Sequence, residues 1–202
     1  PFEVSRLQDY QHQPAYNNQV NKVQVNFGHD LVMAGWNSFL YEKAGRKMFS
    51  LQDENNVTSD INIEVTHSFD KRDMQGPSRT SVGNWKLPKE VSQSNFNTEI
   101  DTSNAGKPFI VISNLKPQQS YAIEIYASSN TSAESYNYFL VKGDNSKKIK
   151  HHVGNNLAET IYLKDIKADK NGKIEIGYDL PNNEKSYTGF INALSIELIK
   201  TN

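Results

Sequence analysis

Two groups of residues are of types that could do hydrolytic or metal chemistry: His67 with Asp70, and His151 beside His152. Acyl transfer needs a nucleophile, a base and an orienting acid within mutual reach. No G-x-S-x-G elbow is present, and Gly143-Asp144-Asn145-Ser146 reads as a turn after a strand. Adjacent histidines on a strand point to opposite faces and do not share one ion. Asp165, Asp169 and Asn171 have the odd spacing of a calcium loop, but Lys167 holds a middle ligand position and no Glu closes the motif. The sequence therefore predicts no catalytic set, no metal site and no cofactor.

Binding chemistry has better candidates. Trp36 precedes Asn37, and Trp85 follows Asn84, so each indole stands beside an amide at the border of a loop. Flat apolar rings suit the C–H face of a pyranose, and planar amides suit its hydroxyls. Tyr136 and Tyr138 share one face of a strand, with Tyr136 nearer the loop. Asn26, Asn37 and Asn192 could hold ligand hydroxyls. Each candidate also has a structural reading. Trp36 and Trp85 could plug a core, since large aromatics dominate cores. The tyrosines could pack on a strand face, and the asparagines could satisfy backbone groups where the first and last strands meet.

The elements that must position these residues are strands. Val23, Val25 and Phe27 alternate with polar residues and run into Gly28; Ile61, Ile63 and Val65 alternate likewise. Phe109–Ile112 is a continuous apolar run of strand length. Tyr121–Ala127 puts Tyr121, Ile123 and Ile125 on one face, after a proline turn at Pro117. Tyr136–Val141 is a further strand. Asp169-Lys170-Asn171-Gly172 predicts a type I′ turn joining Tyr162–Ala168 to Lys173–Tyr178 as a hairpin. Phe190–Ile199 reads as one closing strand. Asp70–Asn84 reads as a long loop, and Glu90–Asn104 as a helical turn or loop around Val91 and Phe96. Eight or nine strands with almost no helical period predict an all-β, antiparallel β-sandwich.

Residues 1–22 are polar and aperiodic, and are read as a linker or surface strap before a sandwich domain over 23–202. At 202 residues, 36% hydrophobic and 22% charged, the chain can bury a sizeable core. A net charge of -1 offers no basic excess for nucleic acid. No apolar run approaches the ~18 residues of a membrane span. The absence of cysteine excludes a disulfide framework and a thiolate metal site. Richness in Asn, Ser, Thr and Tyr fits a secreted, periplasmic or cell-surface protein.

The order of motifs carries a resemblance. A VxVNFG opening is followed by WN, then SNLKPQQSYAIEIYAS, YFLVKG, IKADKNGKIEIGY and a terminal GFINALSIEL. Over roughly residues 23 to 199 this resembles the galactose-binding-domain-like jelly rolls, accessory modules beside polysaccharide-degrading and esterase domains of secreted bacterial proteins. The resemblance implies a non-catalytic carbohydrate-binding module, with polysaccharide or glycan as partner, a neighbouring domain in the same protein, and a site on loops at one end of the sandwich. It implies that the first and last strands share a sheet, bringing Asn26 near Asn192, with Asn37 a possible third. Many members hold a structural calcium, but no compact carboxylate cluster carries it over here. The alternative is a structural or protein-interaction sandwich, a spacer or adhesin domain without sugar binding.

Overall fold

A computed structural model describes residues 21–30, 33–74, 76–78, 81–82, 85–131 and 134–199. Residues 1–20 of the expected N-terminal strap lie outside the described residues. In chain order the strands are β1 (Val23–Phe27), β2 (Asn37–Phe39), β3 (Arg46–Met48), β4 (Asn62–Val65), β5 (Lys71–Asp73), β6 (Ser81–Val82) and β7 (Trp85–Lys86). After a short helix, α1 (Lys89–Gln93), come β8 (Asn95–Ile100), β9 (Pro108–Ser113), β10 (Ser120–Tyr126), β11 (Tyr136–Lys142) and β12 (Ser146–His152). The last are β13 (Ile161–Lys167), β14 (Ile174–Tyr178), β15 (Tyr187–Ile191) and β16 (Ala193–Leu198).

These strands form the all-β sandwich that the alternating pattern predicts. One five-stranded sheet has the order β13-β10-β16-β1-β2, and a six-stranded sheet has the order β12-β11-β14-β9-β4-β3. Pairing is antiparallel except between β1 and β2, which run parallel with Val25 opposite Asn37. Val23, Val25 and Phe27 of β1, Ile123 and Ile125 of β10, and Leu194 and Ile196 of β16 point into the sandwich. Phe109, Ile110 and Ile112 of β9 and Phe139 and Val141 of β11 meet them from the six-stranded sheet. A relay of rings fills the middle: Phe27 contacts Phe96, Phe96 contacts Phe69, and Phe69 contacts Phe109, each at centroid distances of 5.2–5.6 Å. Such offset and tilted pairs add to the area that the rings bury.

The first and last strands do share a sheet. β1 pairs with β16, with Asn26 opposite Ala193, and the Phe27 amide donates to the Asn192 carbonyl. The closing segment is not one strand, however. It breaks at Asn192: β15 pairs with β8 in a separate three-stranded sheet, while β16 enters the five-stranded sheet.

The expected hairpin over Asp169–Gly172 is also corrected. Of these residues Gly172 alone has a positive φ, at 68°. The Gly172 amide donates to the Asp169 carbonyl, and Asp169 Oδ1 accepts from the Asn171 and Lys173 amides. That arrangement is an Asx-braced turn ending in a left-handed glycine, not the paired left-handed residues of type I′. Beyond one bond at its base, from the Asp169 amide to the Lys173 carbonyl, its two arms do not pair with each other. β13 joins β10 in one sheet and β14 joins β9 and β11 in the other, so the turn is a crossover between sheets.

Further strands form where the sequence shows no alternation. β5 and β6 lie inside the segment Asp70–Asn84 read as a loop, β8 lies inside Glu90–Asn104, and β3 and β12 cover polar stretches, β12 with the basic residues Lys147–Lys150. β3 and β12 are the two edges of the six-stranded sheet, where one side has no ladder partner and polar side chains are tolerated.

A second, smaller cluster sits outside the main core. Trp36, Val82, Trp85, Leu87 and Val91 pack on Tyr126 and Ala193. Tyr126 and Ala193 alternate with the inward Ile125 and Leu194, so this cluster covers part of the outer face of the five-stranded sheet. The β6–β7 hairpin and α1 thus form a cap on that face.

Candidate ligand-binding site

The candidate residues from the sequence separate into two places. Asn26, Asn37, Asn192, Trp36 and Trp85 all belong to the seam between the capped sheet and its neighbours, and Tyr136 lies at the loop end.

At the seam every amide is engaged by the protein. Asn26 Nδ2 donates to the His29 carbonyl at 2.7 Å, and its Oδ1 accepts from Ser94 Oγ at 3.0 Å. Asn192 Oδ1 accepts from the Ser128 amide at 2.7 Å, and its Nδ2 donates to the Ser92 carbonyl at 3.1 Å. Asn37 Nδ2 donates to the Gln24 and Gln52 carbonyls, and its Oδ1 accepts from the Gln52 amide. These side chains tie the cap and the Leu51–Ser59 loop to β1 and β16. All three are buried, as hydrogen-bonded polar groups in an interior must be.

Trp36 and Trp85 stack on one another, with centroids 5.8 Å apart and planes within 12°. Trp36 is 9% exposed and Trp85 4% exposed, so neither offers an open platform. The Trp85 indole Nε1 donates to Gln24 Oε1 at 2.7 Å, and Lys22 Nζ stands 4.7 Å from its ring centroid. The hydrolytic candidates are likewise committed to structure. Asp70 Oδ2 accepts from Thr98 Oγ1 and the Glu99 amide, and His67 packs its ring on Phe109. Among the described residues, no three of His, Cys, Asp and Glu converge as a metal site.

Tyr136 opens a different place. It lines a cleft of about 230 Å³ with Tyr138, Tyr187, Glu134, Glu184 and Thr188. The cleft lies where the loops after β10 and β14 meet, at one end of the sandwich. Its walls are set by a side-chain clamp. Asn137 Nδ2 donates to the Phe190 carbonyl and its Oδ1 accepts from the Phe190 amide, so one amide side chain copies a strand pairing and holds β15 across β11. This brings the ring of Tyr187 edge-on to Tyr138, with centroids 5.3 Å apart at 73°. Tyr187 Oη donates to the Asp179 carbonyl at 2.8 Å. Burial, together with the charge of Asp179, pushes its hydroxyl well above the ordinary tyrosine range. It is therefore a neutral donor fixed in place, not an acid or base. On the outer side, Lys150 Nζ lies 4.0 Å from the Tyr136 centroid, and His152 tilts against the same ring.

The cleft thus offers aromatic walls, carboxylates and hydroxyls around a volume of the size of one small ring. Of the residues lining this cleft, the sequence singled out Tyr136, as an aromatic bordering a polar loop, and Tyr138 on the same strand face. Tyr187 and Glu184 were missed. The signal for Tyr187 is of the same kind, an aromatic at the start of a strand after the Asn182–Glu184 loop.

No protein-family model matches the chain, and no curated protein matches it in sequence. Among solved structures, the ANXUR1 extracellular domain from Arabidopsis thaliana is similar with a TM-score of 0.49 and 11% identity, covering 89% of this chain and 49% of that one. A structure of the plant peptide RALF23 in complex with FER and LLG2 contains a chain similar with a TM-score of 0.49 and 10% identity, covering 90% of this chain and 49% of that one. This chain spans about half the length of each.

Proposed function

We propose that this protein is a non-catalytic binding domain that takes a glycan in the Tyr136–Tyr138–Tyr187 cleft at the loop end of the sandwich. The observation that carries the reading is the edge-on pair Tyr138–Tyr187, set beside Tyr136 and lined by Glu134, Glu184 and Thr188. Apolar ring faces with a few fixed polar groups are what a small polar ring needs for orientation. The walls are held by the Asn137 clamp before any ligand arrives, so little ordering is lost on binding. The domain works as an extracellular accessory to a neighbouring domain, presenting the cleft to a polysaccharide end or branch.

The test is a saccharide titration followed by two-dimensional NMR. Neutral monosaccharides and disaccharides at millimolar concentration are expected to shift the resonances of Tyr136, Tyr138 and Tyr187, and Tyr136→Ala is expected to abolish those shifts without loss of fold. If no saccharide in a panel of hexoses, pentoses and N-acetylhexosamines moves these resonances, the reading fails.

A further inference from the structure

Among the described residues, the β6–β7–α1 cap covers the part of the outer face of the five-stranded sheet around Tyr126 and Ala193, and a groove runs beside it. Two cavities lie along it, of about 340 Å³ and 370 Å³, and both are bordered by Tyr162. The first lies between Trp85, Lys22, Glu124, Thr160 and Tyr162. The second continues over Ala122 toward Lys164 and Glu197. We infer that this groove is a second binding site, for a neutral, hydroxyl-rich linear glycan chain.

The geometry at Glu124 points to hydroxyls. Glu124 Oε2 accepts from Lys22 Nζ at 2.7 Å, and Oε1 accepts from Thr160 Oγ1 at 2.9 Å. A carboxylate has about four acceptor positions, so each oxygen keeps one for a ligand. Lys22, fixed between Glu124 and the Trp85 ring, keeps an N–H to donate. An ammonium and a carboxylate held side by side give one donor and one acceptor at fixed spacing. Two neighbouring hydroxyls of a sugar ring, each able to donate and accept, match that pair. The Lys22 and Glu124 side chains are only 21% and 12% exposed, so they are ordered before binding.

Aromatic surface stands beside this pair. Tyr162, opposite Glu124 across the β10–β13 ladder, is 52% exposed, an unusual state for so large a ring on a sheet. Trp85 borders the other side, but its ring is buried beneath Lys22 and its indole N–H is bonded to Gln24, so of the two rings Tyr162 is the one open to a ligand. The floor at Ala122 is small, which leaves depth for a chain to lie flat.

Charge selects the class. Lys22 and Lys164 are balanced by Glu124 and Glu197, so the groove has no net field to draw a polyanion or a polycation. A peptide strand would add to the edge of β13 and not lie across the sheet face. The class of ligand rests on the glycan reading of the tyrosine cleft; the place does not, since the two sites share no residue.

The test uses the full chain and a panel of neutral hexasaccharides (β-1,4-glucan, β-1,4-xylan, β-1,4-mannan and α-1,4-glucan), titrated by calorimetry and by NMR. At least one is expected to shift Ala122, Tyr162 and Glu197 resonances. Tyr162→Ala is expected to weaken its binding roughly tenfold or more, the equivalent of about 1.4 kcal/mol. Glu124→Gln, which keeps shape and removes charge, is expected to weaken it in the same direction. Shifts at Tyr136 and Tyr187 produced by monosaccharides should stay unchanged in both variants. If no hexasaccharide perturbs the groove, or if both variants bind like the parent, the inference is overturned, whatever happens at the tyrosine cleft. Tighter binding of heparin or polylysine than of any neutral chain would overturn it equally.

Discussion

Burial of His151 holds its imidazole neutral. The residue is nearly enclosed, and Asn156 Nδ2 lies 3.2 Å from its Nε2, which accepts in the neutral ring. Desolvation, helped by the neighbouring His152 charge, pulls its pKa from 6.5 to about 4. The unfolded chain therefore binds more protons than the folded one between these values, and the stability gained from neutral His151 is present above pH 6.5 and lost as pH falls toward about 4. The loss should amount to about 3 kcal/mol across that window. Urea midpoints measured at intervals from pH 7 to pH 4 check it, because His151→Gln should flatten the decline over the same range. A parent curve no steeper than the variant's would show that the imidazole is charged without penalty. Asn156 itself fixes the turn beside His151, donating to the Ala127 and Glu159 carbonyls and accepting from the Ala158 and Glu159 amides. A proton on His151 Nε2 would thus set one donor against another, the Asn156 Nδ2 that the Ala127 and Glu159 carbonyls hold in place.

Among the elements, β12 is the exposed edge of the six-stranded sheet, and its sequence guards that edge. Lys147, Lys148 and Lys150 are exposed along it, and the partner ladder on β11 runs from Tyr136 to Lys142. Lysines on an edge strand oppose pairing with another chain. Replacing the three with Thr should leave the β11–β12 ladder intact and produce association that grows with protein concentration. Light scattering after a week at millimolar concentration reads it; a variant that stays monomeric would show that twist or the Lys148–Asp179 ion pair guards the edge instead. The same strand shows why some elements escape sequence reading. Alternation is visible where a strand has one dry face, as in Val23–Phe27 or Tyr121–Ile125. β12 and β3 show no such pattern because edges are wetted on both faces over most of their length. The turn at Asp169–Gly172 was legible as a turn, since Asp and Gly dictate local backbone shape. Where its arms go was not legible, because sheet membership depends on β10 and β11, which are distant in the chain.

At the scale of the whole molecule, the all-β sandwich class was readable from hydrophobic period, and the meeting of the first and last strands was what the resemblance implied. Of the residues around the tyrosine cleft, the sequence singled out Tyr136 and Tyr138. Their partners Tyr187 and Glu184 come from a segment some fifty residues away, and only the reciprocal Asn137–Phe190 bonds bring them together. Nor does residue type tell a buried indole from an exposed one: Trp36 and Trp85 satisfy both readings until Tyr126 and Ala193 are known to lie beneath them. Among the described residues there are two apolar clusters of very different size, and the β6–β7 hairpin over the smaller one pairs with none of the strands of the two large sheets. Elements with little buried surface open at lower free energy than the global transition. Amide exchange at Val82, Trp85 and Val91 is therefore expected to be faster than at Ile123, Ile125 and Ile176, and equal protection across both groups would mean that cap and sandwich open as one unit. The stacked pair has a spectroscopic corollary. The chain has two tryptophans, and both are in the cap cluster. Intrinsic indole emission from this protein therefore reports on the seam between the cap and the five-stranded sheet. Where the cap opens first, a denaturation curve recorded at that wavelength runs ahead of one recorded by backbone dichroism.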